Sequence, residues 1–274
     1  MEKRQEPVIV QVPSMKLFHV VVVVILVVGA FFLGSLWTKV EFLKGGSVSG
    51  VQQAAQPTGT TQQAEPKVTL DTVKQAFAGS FIKFGDANKK LLLIEVADPS
   101  CPYCHASAGH NGALNKQMGD RFVLTADGGP YVAPVPEIKK LVDSGSAAFA
   151  YLYTPGHGNG EMGTKAFYCA FEKGKFWDVH DKLMTSEGYS LLNDSVKNDK
   201  TKSEEVAQFL KDEFNPQDMK SCLDSGKYDA RLGEDIVLAR SIGVSGTPGF
   251  FVNATAFAGA YSWKDMESAV NAAL

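Results

Sequence analysis

The spacing of hydrophobic residues predicts alternating helices and strands from residue 69 onward. Residues 69–81 place Val73, Ala76 and Phe77 on one helical face, with Thr69 or Asp71 as a candidate N-cap. An apolar run of strand length within 89–98 is typical of a central strand covered on both faces. Four further elements are predicted: a helix over 105–119, a strand over 121–127, a helix over 135–145 and a strand over 147–155.

Helical periodicity dominates the following segment. Helices are predicted over 161–174, 175–188, 201–214 and 215–243, and Ser203 is expected to cap the third. Strand character returns at 249–259, and 262–274 is an amphipathic helix. The order of strand, helix, strand, helical block, strand and helix predicts an α/β fold with a central sheet flanked by helices.

The most hydrophobic stretch is Leu17–Trp37, which contains no formally charged side chain. As a helix it would cross roughly 30 Å of hydrocarbon, with His19 near one interface and Trp37 at the other. A cleaved signal peptide is the alternative, but its apolar region is usually shorter and GSLWTKV is a poor cleavage site. We therefore predict an uncleaved single-pass anchor at 17–37, after a short cytoplasmic N-terminus at 1–16.

Residues 38–66 are rich in Gly, Ser, Gln, Thr and Ala, a composition that cannot bury enough apolar surface to fold. They are predicted to form a flexible linker to a folded domain at 67–274. Basic residues are slightly more frequent before the anchor than after it. By the positive-inside rule, this bias predicts that the folded domain lies outside the cytoplasm, on the outer side of the cell membrane.

Composition limits the range of functions. The 274-residue chain is 45% hydrophobic, which is enough for a full core. Its formal net charge of −3 offers no basic surface, so no nucleic-acid partner is expected. The four cysteines are too few to replace a core with disulfides. No P-loop or H-E-x-x-H motif occurs, and we expect no metal, nucleotide or organic cofactor.

Two cysteines, Cys101 and Cys104, follow the apolar strand with Pro102 and Tyr103 between them. Cys101 would lie at the N-terminal end of the next helix, where free N–H groups and the helix dipole stabilise a thiolate. Pro102 is tolerated there because the first helical turn has no hydrogen bond to lose. This arrangement favours redox chemistry.

A cysteine pair at this spacing could also bind a metal or form a structural disulfide. A zinc site would need further ligands, for which His105 and His110 are near in sequence. However, the side chains of His105 and Cys104 point in different directions because they are adjacent on a helix. A purely structural disulfide across so short a loop would add little stability.

Several segments resemble a known family. LLLIEVADPSCPYC (91–104) resembles the active-site strand and helix start of thioredoxin-fold oxidoreductases, and SGTPGFFVN (245–253) is similar to their cis-proline segment. The helical block between them, at about 156–243, resembles the inserted subdomain of DsbA-like proteins, specifically of membrane-tethered bacterial members. The resemblance implies a thioredoxin-like central sheet and a protein thiol–disulfide oxidoreductase.

For the catalytic residues, the resemblance implies that Cys101 is the nucleophilic thiol and Cys104 the resolving one. Glu95 matches a buried acid that relays a proton to or from Cys104. The alternative for Glu95 is a strand residue that reaches solvent at the sheet edge.

For substrate binding, the resemblance implies that Pro248 is the cis-proline facing the cysteines. The Thr247 backbone would pair with an extended substrate segment, and Pro102 and Tyr103 would contribute to the same surface. Thr before the cis-proline occurs in isomerase-type as well as oxidase-type relatives, so the direction of electron flow stays open.

The remaining cysteines, Cys169 and Cys222, lie in separate predicted helices. They are either buried free thiols or a structural disulfide, which an oxidising compartment favours. His157 lies in a Gly-rich loop, where it would contact substrate or cap a helix, and His180 is expected to be a packing or surface residue.

These observations predict a membrane-anchored extracytoplasmic enzyme that introduces disulfides into translocated proteins at Cys101 and Cys104. Its substrates would be reduced or unfolded secreted proteins. The resemblance implies a quinone-linked membrane partner that reoxidises it. Two alternatives stay open: an isomerase or reductase with the same dithiol, and a tethered chaperone or binding module.

Overall fold

The structure, a computed structural model, describes residues 68–274. The predicted N-terminus, anchor and linker at 1–16, 17–37 and 38–66 lie outside the described residues. Within residues 68–274 no helix combines the length and the apolar character needed to cross a bilayer.

The described residues form a five-stranded sheet and a series of short helices. The strands are β1 (Ile82–Phe84), β2 (Leu91–Ala97), β3 (Ala147–Tyr153), β4 (Gly249–Val252) and β5 (Thr255–Ala258). The α-helices are α1 (Leu70–Gly79), α2 (Pro102–Ala108), α3 (Gly112–Gln117), α4 (Pro134–Asp143), α5 (Glu161–Phe171), α6 (Phe176–Leu183), α7 (Ser186–Ser190), α8 (Ser203–Phe209), α9 (Pro216–Asp224), α10 (Asp229–Ser241) and α11 (Trp263–Ala273). Short 3-10 or π turns cover Asp120–Phe122, Thr125–Asp127, Leu191–Val196 and Lys200–Lys202.

The strand order is β1-β3-β2-β4-β5, with β2 and β3 parallel and the other pairs antiparallel. All side chains of β2 are buried, as predicted for a central strand. Because strand side chains alternate, Leu91 and Leu93 face one layer and Leu92 and Ile94 the other. The first layer holds α2, α4, α11 and most of the helical block, and the second holds α1 and the C-terminal part of α10. A mixed sheet flanked by helices confirms the predicted fold class over residues 68–274.

Three local predictions were wrong. The helix predicted over 105–119 is interrupted, because Gly109 adopts a left-handed conformation (φ 76°) that ends α2 before Asn111 caps α3. The strand predicted over 121–127 is a loop that folds back on itself. There Gly129 approaches Val123 so closely that an added Cβ would lie 2.4 Å from the Val123 Cβ.

The third error concerns Ser203, which is the first residue of α8 and not its cap. Its hydroxyl donates to Asp224 on α9, so it joins two helices instead of satisfying the free N–H groups of its own. The sequence pattern also missed β1, whose three residues are too few for a periodic signal.

Two contacts hold the helical block together and to the sheet. Cys169 on α5 and Cys222 on α9 form a disulfide across 53 positions of sequence. The buried Asp235 of α10 accepts hydrogen bonds from the Tyr168 hydroxyl (2.6 Å) and the Tyr153 backbone (3.2 Å). The first contact joins two helices, and the second ties α10 to β3.

We expect the combined substitutions Cys169→Ser and Cys222→Ser to lower the free energy of unfolding by about 4 kcal/mol, because the bridge closes a loop of roughly 50 residues. Urea denaturation of the two proteins measures the difference. Mass spectrometry of intact wild-type protein is the control, and free thiols at both positions would contradict the bridge.

Candidate active site

Cys101 occupies the N-cap position of α2. Its backbone N–H donates to the Asp98 carbonyl (2.9 Å), and its own carbonyl accepts from the N–H groups of Cys104 and His105 (both 3.1 Å). Pro102 is the first helical residue and breaks none of these bonds. Both cysteines are free thiols; Cys101 is 4% exposed and Cys104 is fully buried. The local sequence therefore places the Cys101 sulfur at a helix N-terminus, which favours a thiolate.

The segment before β4 faces this helix start. The antiparallel register aligns Val96 with Gly249, and the preceding Thr247–Pro248 peptide bond is cis. The Cys101 thiol donates to the Thr247 carbonyl at 3.6 Å. The Thr247 hydroxyl is buried and has no hydrogen-bond partner among the described residues, so it is available to a thiolate beside it.

The two thiols have opposite acidities. A hydrogen bond from the Cys104 thiol is the main cause that lowers the pKa of Cys101 to about 6, although burial opposes it. The backbone N–H groups of Tyr103 and Cys104 contribute in the same direction. Burial holds the pKa of Cys104 well above its ordinary value, and its hydrogen bond to Cys101 adds to that effect. Near neutral pH the reduced pair therefore holds one thiolate, on Cys101, and one proton, on Cys104.

Glu95 lies on β2, six residues before Cys101, and is 1% exposed. It belongs to the central strand and does not reach solvent. Both carboxylate oxygens lack a hydrogen-bond partner among the described residues. Burial raises the pKa of Glu95 to about 8, so the carboxyl group is mainly protonated at neutral pH. An ionised Glu95 raises the pKa of Cys104, which shows that the two groups interact electrostatically.

A surface groove of about 550 Å³ is bordered by Tyr103 of the cysteine motif and by Thr247. Tyr103, which is 45% exposed, lies at its edge and contacts Phe122 edge-on with the ring centroids 5.7 Å apart. Thr247, Tyr131 and Tyr261 also line it. Aromatic walls beside a backbone carbonyl suit an extended peptide, and the substrate contacts of Tyr103 and Thr247 stay a prediction.

The histidines near the motif make other contacts. The ring nitrogens of His105 lie 2.8 Å from the Pro99 carbonyl and 3.0 Å from the Met184 carbonyl. His110 and His180 both contact the carboxylate of Asp181. No group of three or more metal-ligating side chains occurs in residues 68–274. His105 is therefore a packed residue that anchors α2 to the helical block.

Sequence reasoning missed Asp98, which is fully buried. Its carboxylate accepts hydrogen bonds from Ser100 and from the backbone of the Gly-rich loop that contains His157. An acidic residue three positions before Cys101, combined with that loop, was the available signal. The role of Asp98 could not be predicted from this signal, because it depends on a contact with His157, which is 59 residues away in sequence.

A family model described as thioredoxin matches residues 135–272, just over half of the chain. The chain belongs to the thioredoxin family. The matched region contains Pro248 and begins after the Cys101–Cys104 motif. The predicted resemblance and the predicted enzyme class of this thioredoxin-family chain, a thiol–disulfide oxidoreductase, are thereby confirmed.

Solved structures share this thioredoxin-like fold at low sequence identity. Oxidised BdbD from Bacillus subtilis is 17% identical, with a TM-score of 0.51 over 72% of this chain and 94% of its own. The thiol-disulfide exchange protein alpha-DsbA2 from Wolbachia pipientis is 18% identical, with a TM-score of 0.50 over 75% and 95%. DsbA from Chlamydia trachomatis is 15% identical, with a TM-score of 0.50 over 83% and 96%. These likenesses concern the fold.

A curated relative has a different organisation. The Na(+)/H(+) antiporter NhaA 3 of Salinispora tropica is 24% identical over 193 residues, which are 69% of this chain. The thioredoxin-family chain spans only about a quarter (24%) of the length of that protein. The similarity therefore concerns one part of a longer protein.

Substitutions of Cys104 test the origin of the Cys101 acidity. Because Cys104→Ser keeps a hydroxyl donor and Cys104→Ala removes it, we expect the serine variant to retain a Cys101 pKa near the wild-type value of about 6. The alanine variant should titrate at a higher pH. The pH dependence of alkylation, or of thiolate ultraviolet absorbance, measures both. Equal pKa values in the two variants would show that the Cys104 donor is not the cause.

Proposed function

We propose that this thioredoxin-family chain introduces disulfides into translocated proteins as a membrane-anchored, extracytoplasmic oxidase. The observation that supports this most is the lowered pKa of Cys101 beside the Thr247 carbonyl. A stabilised thiolate favours the reduced enzyme over the oxidised one, which makes the Cys101–Cys104 disulfide a strong oxidant. The Cys101 thiolate is stabilised at neutral pH. By linkage, this stabilisation of the reduced enzyme is lost as the pH falls through about 6.

The proposed reaction starts from the Cys101–Cys104 disulfide. A substrate thiolate attacks the Cys101 sulfur, and the Cys101–Cys104 bond breaks to release Cys104 as a thiolate. Glu95 supplies the proton that Cys104 takes up in its buried position. A second substrate thiolate then attacks the substrate sulfur of the mixed disulfide and releases the Cys101 thiolate. The substrate loses two electrons and gains a disulfide, and the enzyme leaves as the dithiol.

The groove determines how a substrate is presented. An extended segment beside Thr247 would pair with its backbone while its side chains contact Tyr103 and the neighbouring aromatic rings. Reduced or unfolded proteins supply such segments, whereas compact domains do not. Reoxidation of the dithiol requires a two-electron acceptor, for which we propose a quinone-linked membrane partner. The proposed anchor at 17–37 would keep the two at the same membrane.

The equilibrium of the pair with glutathione tests the direction of electron flow. We expect a reduction potential near about −120 mV, as for strongly oxidising members of the superfamily, because the Cys101 thiolate is stabilised. A value near about −270 mV would instead make the protein a reductase. Cys101→Ala is the control, since it should abolish oxidation of a reduced peptide. Retained suppression of protein aggregation by that variant would reveal an additional chaperone activity.

Glu95→Gln tests the proposed proton donor. Below about pH 8 the wild-type carboxyl group is protonated, so its loss should slow mixed-disulfide formation by about a hundredfold. After correction for the ionisation of the attacking peptide thiol, the wild-type rate constant should fall as the pH rises through about 8, and this fall should be absent in the variant. Stopped-flow kinetics with a reduced peptide over a range of pH measures both.

The matched control for Glu95→Gln is Glu213→Gln, which also alters a carboxylate with a buried, unpartnered oxygen but lies between α8 and α9. It should leave the rate and its pH dependence unchanged. A separate readout is stability. Because the folded-state pKa of Glu95 is raised from 4.5 to about 8, the free energy of unfolding of the wild-type protein should fall as the pH rises from about 4.5 to about 8, and Glu95→Gln should remove this loss. An unaltered pH–rate profile in Glu95→Gln would remove Glu95 from the mechanism.

A further inference from the structure

The carboxylate of Asp98 joins two segments at the entrance to the site. One oxygen accepts from the Ser100 backbone N–H (2.7 Å) and hydroxyl (2.6 Å) in the turn before the cysteine motif. The other accepts from three consecutive backbone N–H groups, those of Gly156 (2.8 Å), His157 (3.0 Å) and Gly158 (3.4 Å). A buried carboxylate with five donors is fully satisfied, and hydrogen bonds to a charged acceptor are the strong kind.

Residues 155–160, which we call the entrance loop, lie directly against the reacting groups. A Cβ added at Gly156 would lie 1.7 Å from the Thr247 hydroxyl oxygen and 3.5 Å from the Cys101 Cβ. A Cβ at Gly160 would lie 1.8 Å from an Asp98 carboxylate oxygen. The loop backbone thus fills the space beside Cys101, and this is why the nucleophile is only 4% exposed.

Asp98 is the only described residue that hydrogen-bonds Gly156 and His157 of the entrance loop, and the other hydrogen bonds hold only residues 158–160, which also contact Asn193 and Thr164. Its residues from Pro155 to Gly158 are exposed and bury no apolar side chain. Asn159 donates to the Ser100 hydroxyl (3.1 Å), and the Asn198 side chain donates to the Gly158 carbonyl (2.8 Å). Three of the loop's N–H groups depend on one carboxylate, so its charge controls where the loop lies.

We propose that Asp98 is a positioning residue that sets the width of the entrance to Cys101 through the entrance loop. A narrow entrance admits a cysteine in an extended segment with small neighbouring residues and excludes a cysteine on a folded surface. The identity of this substrate class rests on the proposed function, whereas the control of access does not.

The test compares two maleimides on the full-length chain carrying Cys104→Ser, in which Cys101 is the single free thiol. N-ethylmaleimide is small, and the same group on a polyethylene-glycol chain is bulky. At a pH well above the Cys101 pKa, the ratio of the bulky to the small rate constant reports access and not ionisation. We expect Asp98→Asn to raise this ratio about tenfold, because it removes the charge that holds the loop.

The matched control is Asp199→Asn. Asp199 accepts from the Thr201 backbone N–H (2.9 Å) and hydroxyl (2.7 Å), as Asp98 does from Ser100, but it holds no loop beside the cysteines. Its ratio should equal that of the parent protein. Gly156→Ala is the second variant, since its methyl group displaces the loop from Thr247 while Asp98 stays intact. It should raise the ratio as Asp98→Asn does.

An unchanged ratio in Gly156→Ala and in folded Asp98→Asn protein overturns the proposal, as does an equal increase for both reagents. A second assay measures oxidation of a reduced unfolded protein against a folded protein with a surface cysteine pair. Asp98→Asn should favour the folded substrate relative to wild type. If the wild-type enzyme oxidises neither, the proposed function fails, and an altered alkylation ratio still supports the access role.

Discussion

The antiparallel pairing of β2 with β4 is the contact on which the active site depends. It brings together segments separated by about 150 positions, since Cys101 and Thr247 are 146 residues apart. The cis Thr247–Pro248 bond then lies over the start of α2. Everything between β3 and β4 must leave the sheet and return to it. The helical block does so because the Cys169–Cys222 bridge closes it internally and α10 returns the chain against the far face of the sheet.

Burial acts on all three proposed catalytic groups, but their acidities differ. Glu95 and Cys104 lie where desolvation dominates, so the neutral form of each is favoured. Cys101 is also buried, yet it receives several hydrogen bonds, whereas the Cys104 sulfur accepts one, from the Asp98 N–H (3.5 Å), and Glu95 accepts none among the described residues. The buried site therefore contains both a thiolate, on Cys101, and a protonated carboxyl group, on Glu95. The proposed division of roles, with attack at Cys101 and proton supply from Glu95, rests on the difference between the donors that surround each group.

Features set by local pattern could be predicted from the sequence, and features set by distant contacts could not. The continuous apolar run predicted β2, and the cysteine pair that follows this strand indicated the N-terminus of α2. The sequence could not decide whether Glu95 is buried. Its strand is central and not at the sheet edge because β4, from a distant part of the chain, pairs with β2. The left-handed Gly109 that divides the predicted helix, and the role of Asp98, depend likewise on packing that no periodicity records.

Access to the nucleophile and its acidity are controlled by different parts of the molecule. The pKa of Cys101 is lowered most by the Cys104 thiol on α2, then by the Thr247 hydroxyl before β4 and by the N–H groups at the helix start, and none of these groups belongs to the entrance loop. The entrance loop covers Cys101 from the other side and is held by Asp98. Displacing the loop therefore exposes the thiolate without removing the donors that stabilise it. This separation allows a nucleophile that is 4% exposed to stay reactive, since opening the entrance need not alter its charge.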